Sequence, residues 1–288
     1  MSQRLPPTAA SLAILRIGTA GLVIIQAAAL GAHLSDLYGE QAILQAAANE
    51  VAVYPWTLRL EMLTRVPGLS QLSRDTLAAI VFSIMVLGAH FLLLGIWPRA
   101  AAIMTWLAHA TLKGSSDLTT YGAYEFVNIA LFYCMWMPVA DTLAFYGVAR
   151  GRTRNPFSCY LSIAILRGHV CIVYLAAGLE KAVGEQWWTG EAIWRAASRS
   201  SFASHAVVST SWLPWIPSLA VAAGWLTVMS ELLYPLSMWL HRWRGAGLAV
   251  VLAMHVSIGL ILGIWYFTAI MIILNLSANA PEWNCTLL

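Results

Sequence analysis

The chain has 288 residues, 60% of them apolar and only 10% charged, with a formal net charge of +3. Soluble domains run at about 45–50% apolar and about 25% charged, so this composition, with a mean hydropathy of +0.71, excludes a soluble globular enzyme and a disordered chain. So small a net charge gives no basic patch for nucleic acid, and the apolar composition implies the lipid bilayer as partner.

Runs of about 20 apolar residues mark membrane spans. In chain order they fall at 11–32, 76–96, 100–113, 122–141, 158–181, 213–240 and 246–277. The predicted architecture is an all-α, polytopic integral membrane bundle of about seven spans, forming one domain over 1–288. The first run contains AAALGA, which resembles a cleavage site. It also holds Arg16 and is too long for a signal-peptide core, so it is read as a retained helix. The third run is short. The seventh is long and is predicted to tilt or to extend past the lipid.

Basic residues in short loops set orientation. Arg4, Arg99, the Arg150/Arg152/Arg154 cluster and Arg242/Arg244 fall on one side of seven spans, which is therefore predicted to be cytoplasmic. The N-terminus is then cytoplasmic, and segments 33–75, 182–212 and the C-terminal tail face outward. Segment 182–212 carries Trp187, Trp188, Trp194 and Phe202 among polar residues. Tryptophan prefers the headgroup level, so the pattern predicts an outer interfacial helix. It serves as an anchoring belt or as the wall of a site.

Ionisable residues inside spans are costly and are functional candidates. In the fifth run Arg167, Cys171, Tyr174, Gly178 and Lys181 follow spacings of 4, 3, 4 and 3, a single helical face. Arg167 and Lys181 are then roughly 21 Å apart along the axis, with Lys181 at the outer end. The chain has 14 arginines but only two lysines, Lys113 and Lys181. Desolvation penalises a charged amine, and an amine that gives up its proton serves as a general base. The alternative is a lysine that snorkels to the interface or pairs with Glu180. The fourth run has a matching face of Tyr121, Glu125, Asn128 and Phe132. Glu231 and His255 lie in the last two runs, and His90 and His109 in the second and third. Glu125, Glu231 and His255 are predicted to form a polar network with Arg167, so that no charge is left unpaired. The network either holds the fold or lines a cavity. No HxxxH or ExxH spacing occurs, so no metal is expected. The four cysteines, Cys134, Cys159, Cys171 and Cys285, include no CxxC pair. No GxSxG elbow, P-loop or dinucleotide fingerprint is present. Asn284 lies in a sequon by pattern only.

Four stretches, LAILRIG at 12–18, YGAYEFVNIALFY at 121–133, LRGHVCIVYLAAGLEKAVGEQWWTGEAIWRAASRSSF at 166–202 and MHVSIGLILGIWYF at 254–267, resemble the horizontally transferred transmembrane (HTTM) family and the membrane core of the vitamin K-dependent gamma-carboxylases. The resemblance covers nearly the whole chain. In those carboxylases a lysine deprotonates reduced vitamin K, oxygen converts the hydroquinone into a strong base, and carbon dioxide adds to a glutamate side chain. The family lysine matches Lys181. The resemblance therefore implies a membrane enzyme with Lys181 as its base. It implies a reduced quinone (vitamin K hydroquinone or menaquinol), oxygen and carbon dioxide as co-substrates, and a peptide or protein substrate. Glu125, Asn128, Arg167, Tyr174, Trp187, Glu231 and His255 are the candidate lining of the quinol cavity. The host membrane is expected to be a bacterial inner membrane. Two departures stand out. The chain stops soon after the last helix, so the large extra-membrane domain of the animal enzymes has no counterpart. The catalytic-region histidine of the family falls near Trp136. Two other functions fit the residues: a non-catalytic accessory protein that helps mature or export a small peptide or lipoprotein, and a small transporter using the intramembrane charges.

Overall fold

The computed structural model describes residues 7–43, 54–116, 121–139, 143–144, 156–199, 205–211 and 213–279. Arg4, the Arg150/Arg152/Arg154 cluster, Phe202, Asn284, Cys285 and the C-terminal tail lie outside the described residues. Those that are described form helices and connecting turns, with no strand among them. Among the described residues, five segments are long and apolar enough to cross a membrane: Ala10–Tyr38, Arg74–Leu94, Phe157–Val183, Pro217–Trp239 and Arg244–Leu262. With backbone groups satisfied inside each helix, these segments make the chain an integral membrane protein. The chain divides into two compact units, Met1–Cys159 and Tyr160–Leu288.

The first unit contains α1 (Pro7–Gly31), α2 (Leu34–Tyr38), α3 (Leu60–Leu63), α4 (Arg74–Leu94), α5 (Pro98–Ser115) and α6 (Gly122–Trp136). Ser73 caps α4 by accepting from the Thr76 amide, and Gly95 ends it at φ 71°. Pro98 then starts α5 at the position where its missing N–H costs nothing. α6 is shorter than the predicted run 122–141, because Pro138 forces Met137 into an extended conformation. Small residues let α4 and α5 approach closely: a Cβ on Gly88 would meet the Thr105 side chain and main chain. Among the described residues the largest fully buried side chain is Arg16. Its guanidinium donates to the carbonyls of Leu92 and Leu93 at 2.6 Å each, Leu143 at 2.7 Å and Val139 at 3.2 Å. Leu92 and Leu93 close α4, so a fixed cation meets the negative end of a helix.

The second unit contains most of α7 (Pro156–Val183), followed by α8 (Glu185–Trp188), α9 (Glu191–Ala197), α10 (Pro217–Trp239), α11 (Arg244–Leu262) and α12 (Trp265–Asn279). Two sequence readings are corrected here. Run 246–277 is not one long helix. Gly263, at φ 70°, ends α11, and the chain turns back as α12. The Trp-rich segment is not one interfacial helix. Gly190, at φ 78°, splits it into α8 and α9. Gly190 is also needed for space, since a Cβ there would strike the backbone of Ala220 and Val221 in α10. The turn after α11 is tied down by residues before α10: the amides of Val207 and Val208 both donate to Leu260 O, and Trp265 Nε1 donates to His205 O.

Candidate functional site

The face predicted on α7 is the buried one: Arg167, Cys171, Tyr174 and Gly178 are buried and Lys181 is half-buried at its end. Lys181 Nζ lies 2.8 Å and 3.1 Å from the two carboxylate oxygens of Glu231 on α10. The side chains are 22% and 8% exposed, so the carboxylate is the dry partner. The partner of Lys181 is thus Glu231 rather than Glu180, which is exposed. Gly178 makes the approach possible, because a Cβ there would come within 3.0 Å of the Leu232 amide nitrogen and 3.1 Å of Glu231 Cβ. Pro235 lies four residues after Glu231 and has no N–H to offer the Glu231 carbonyl.

An aromatic wall stands beside this pair. Lys181 Nζ is 5.3 Å from the ring centroid of Trp187 on α8, within cation–π range. Trp188 donates through Nε1 to Ala182 O at 2.8 Å, and Trp225 of α10 donates to Trp188 O at 3.1 Å. The Trp188 and Trp225 rings meet edge to face at 4.8 Å. These bonds pin α8 to the end of α7 and to α10.

Further along the same helices runs a continuous line of buried polar groups. Arg167 Nε donates to Ala278 O at 3.1 Å and to Asn279 Oδ1 at 3.2 Å. Asn279 Nδ2 donates to Tyr234 OH at 3.0 Å and to Asn275 O at 3.2 Å. Tyr234 OH donates to Asn275 Oδ1 at 2.7 Å. Asn275 Nδ2 donates to Tyr174 OH and to Met271 O, both at 2.8 Å. Tyr174 OH lies 2.6 Å from His255 Nε2. Tyr174 and Tyr234 pack ring to ring at 4.3 Å. Buried polar groups are stable only when paired, and this line pairs nearly all of its members.

The structure therefore brings Arg167, Tyr174 and His255 into one chain, and Lys181, Glu231 and Trp187 into one cluster. The predicted network differs in its pairings: Glu231 meets Lys181 instead of Arg167, whose Nε is taken by a main-chain carbonyl and an amide. Glu125 and Asn128 belong to the first unit. There Lys113 Nζ is 2.5 Å from Glu125 Oε1, and Asn128 Oδ1 is 3.2 Å from His109 Nδ1, whose Nε2 faces Gln26 at 3.1 Å. His90 is exposed and bonds the Val86 carbonyl of its own helix. The fourth run's face is largely outward, with Tyr121, Glu125 and Phe132 exposed. Trp136 is exposed as well.

Sequence reasoning missed Tyr234, Asn275 and Asn279. Asn275 and Asn279 stand one turn apart in a helix without a charged residue, which was a readable signal. Tyr234 lies one turn beyond Glu231 and marks the same face of α10. On another side of α10 and α11 an apolar crevice of about 450 Å³ is lined by Leu226, Ser230, Met254 and Ile258, with Ile193 and Ala196 of α9. It holds no charged group, and its lining suits a hydrocarbon chain.

No curated protein and no solved structure matches the chain at a significant level. The family model for the HTTM domain matches residues 6–283. That match spans both units and nearly all of the sequence, and the chain belongs to the HTTM family.

Proposed function

We propose that this protein is a quinol-dependent membrane enzyme of the gamma-carboxylase-like class, with Lys181 as its base. The resemblance of residues 166–202 to the carboxylase core, within a chain whose residues 6–283 match the HTTM domain, supports this reading. The observation that carries the reading is the Lys181–Glu231 pair beneath the Trp187 ring. A paired ammonium is not a base. Transfer of one proton within the pair, from Lys181 to the Glu231 carboxylate, leaves a neutral amine beside a carboxylic acid. The amine then takes the hydroxyl proton of a bound quinol. Trp187 supplies a flat apolar surface for the quinol ring. The reduced quinone, of the vitamin K or menaquinol type, supplies electrons to oxygen, and carbon dioxide is the further co-substrate. A glutamate side chain of a peptide or protein is the acceptor in this reading. The protein sits in the inner membrane of a bacterial cell with its N-terminus cytoplasmic. Arg99, Arg242 and Arg244 lie in or beside short connections, which supports that orientation. The Lys181 end of α7 then faces outward.

The test is oxygen uptake and quinone epoxide formation by purified protein given menaquinol or vitamin K hydroquinone. Turnover lost in Lys181→Ala, with thermal stability still measurable, supports the reading. Unchanged turnover in that variant overturns it. A second reading, the accessory protein, draws on the same pair used as a brace between α7 and α10. It expects Lys181→Arg to keep function and a partner peptide to co-purify.

A further inference from the structure

A second apolar groove runs between α10 and α11 toward the turn that joins them. Leu226, Leu233, Leu236 and Leu240 line it from α10, with Trp243 and Val250 opposite. Its volume is about 420 Å³. From Leu226 to Leu240 it follows α10 for about 21 Å, a little more than half of the roughly 30 Å hydrocarbon core of a bilayer. It meets the crevice beside α9 at Leu226, Ser230 and Val250. Two serines of its lining spend their hydroxyl hydrogens on their own helix: Ser230 Oγ donates to Thr227 O at 2.9 Å, and Ser237 Oγ to Tyr234 O at 2.8 Å. A helix does not fit there. With side chains it is about 10–12 Å across and fills roughly 2,000 Å³ over that length, several times the space present. A single hydrocarbon chain is thin enough.

The end of the groove at Leu240 and Trp243 is basic. Between Leu232 and Ala280 the only Asp, Glu, Lys or Arg residues are Arg242 and Arg244. No acid in the last two turns of α10, in α11 or in α12 offsets them. Arg242 is exposed on the turn. Arg244 is half-buried, and its Nε donates to Met238 O at 3.0 Å, which holds its charge at the end of α10. Trp239 and Trp243 are exposed to either side, and tryptophan takes the headgroup level of a bilayer. A thin apolar groove thus ends, at headgroup height, on two arginines.

We propose that this groove holds one acyl chain of an anionic phospholipid, with the headgroup phosphate on Arg242 and Arg244. The lipid comes from the leaflet that meets the α10–α11 turn. Charge selects it, because a zwitterionic lipid offers the same chain but no net charge to the two cations. Arginine suits the role, since its fork can take two phosphate oxygens at once. The site is separate from the Lys181–Glu231 pair: Leu240 lies nine residues beyond Glu231, about 14 Å along the axis of α10. The proposal does not depend on the quinol reading.

The experiment is native mass spectrometry of the full-length protein released from micelles that contain equal amounts of phosphatidylglycerol and phosphatidylcholine with the same acyl chains. The parent protein is expected to retain phosphatidylglycerol over phosphatidylcholine by roughly twentyfold, since each arginine beside an anionic lipid is worth about fivefold. Arg242→Gln, on the exposed turn, should cut that preference about fivefold. Ala246→Phe puts a ring into the groove and should lower phosphatidylglycerol retention about tenfold, the worth of about two buried methylenes. Leu236→Trp narrows the groove from α10 and takes the place of Ala246→Phe if the melting temperature shows that variant unfolded. Equal retention of the two lipids by the parent protein overturns the proposal. So does phosphatidylglycerol binding that survives both groove variants, or that glycerol 3-phosphate displaces, because the headgroup alone would then suffice. A dimer that is lost in Ala246→Phe would place a second copy of the chain on the groove and overturn it as well.

Discussion

Lys181 and Glu231 meet across α7 and α10 with both carboxylate oxygens within 3.1 Å of the ammonium, and the carboxylate is much the less exposed of the two. Removing one partner of such a pair strands the other. A stranded lysine at 22% exposure can reach the headgroup region by its flexible stem, whereas a stranded glutamate at 8% cannot. Lys181→Met is therefore expected to cost about 3 kcal/mol, and Glu231→Gln about 1 kcal/mol. Thermal denaturation in detergent compares them. Equal losses would show that the burial asymmetry has no energetic consequence. For the same reason, turnover assays on Lys181 variants should be accompanied by a measured melting temperature.

The closeness of α7 and α10 depends on one missing side chain. Gly178→Ala places a methyl group 3.0 Å from the Leu232 amide nitrogen and 3.1 Å from Glu231 Cβ, and backbone cannot give way cheaply. A loss of about 2 kcal/mol is expected, together with reduced quinol turnover, because the Lys181–Glu231 distance must grow. Gly168→Ala, on the same helix with nothing within 4 Å of the new methyl, serves as the control and should be neutral or slightly stabilising. Identical melting curves for the two variants would contradict the close-approach argument.

Tyr234 is the hinge of the polar line, accepting from Asn279 and donating to Asn275. Tyr234→Phe leaves one donor and one acceptor buried without partners, at a cost of about 2 kcal/mol. A double-mutant cycle of Tyr234→Phe with Asn279→Ala should show a coupling of about 1 kcal/mol, because the two share a bond. Additive losses would mean that the line is a set of independent contacts.

In the first unit Arg16 satisfies four main-chain carbonyls from a position with no exposure. Arg16→Met fills similar volume but leaves those oxygens without that donor, and a loss of about 4 kcal/mol is expected. Arg16→Lys should recover only part of it, since an ammonium cannot reproduce the fork. Folded yield after membrane extraction and the melting temperature read this out. A fully stable Arg16→Met would show that the carbonyls find other donors.

The sequence carried the periodic information and little of the pairing. The α7 face of Arg167, Cys171, Tyr174, Gly178 and Lys181 was legible because a helix repeats every 3.6 residues whatever surrounds it. Hydropathy located most of the spans, since the cost of unpaired backbone in lipid leaves few alternatives to helix. It failed at 246–277, where a single left-handed glycine reverses the chain without any polar residue to announce it. It also read the Trp-rich segment as one helix, because Gly190 acts through φ and through contact with α10 rather than through hydropathy.

What the sequence by itself determined is the membrane-helical class, the family resemblance and the polar faces of individual helices. Only the tertiary structure decided that Lys181 answers to Glu231, that Arg167 answers to the end of α12, and that Tyr234, Asn275 and Asn279 complete the line to His255. The physical reason is that periodicity is a property of one helix. A hydrogen bond between helices depends on which helices touch, at what height, and how closely small residues such as Gly178 allow them to come.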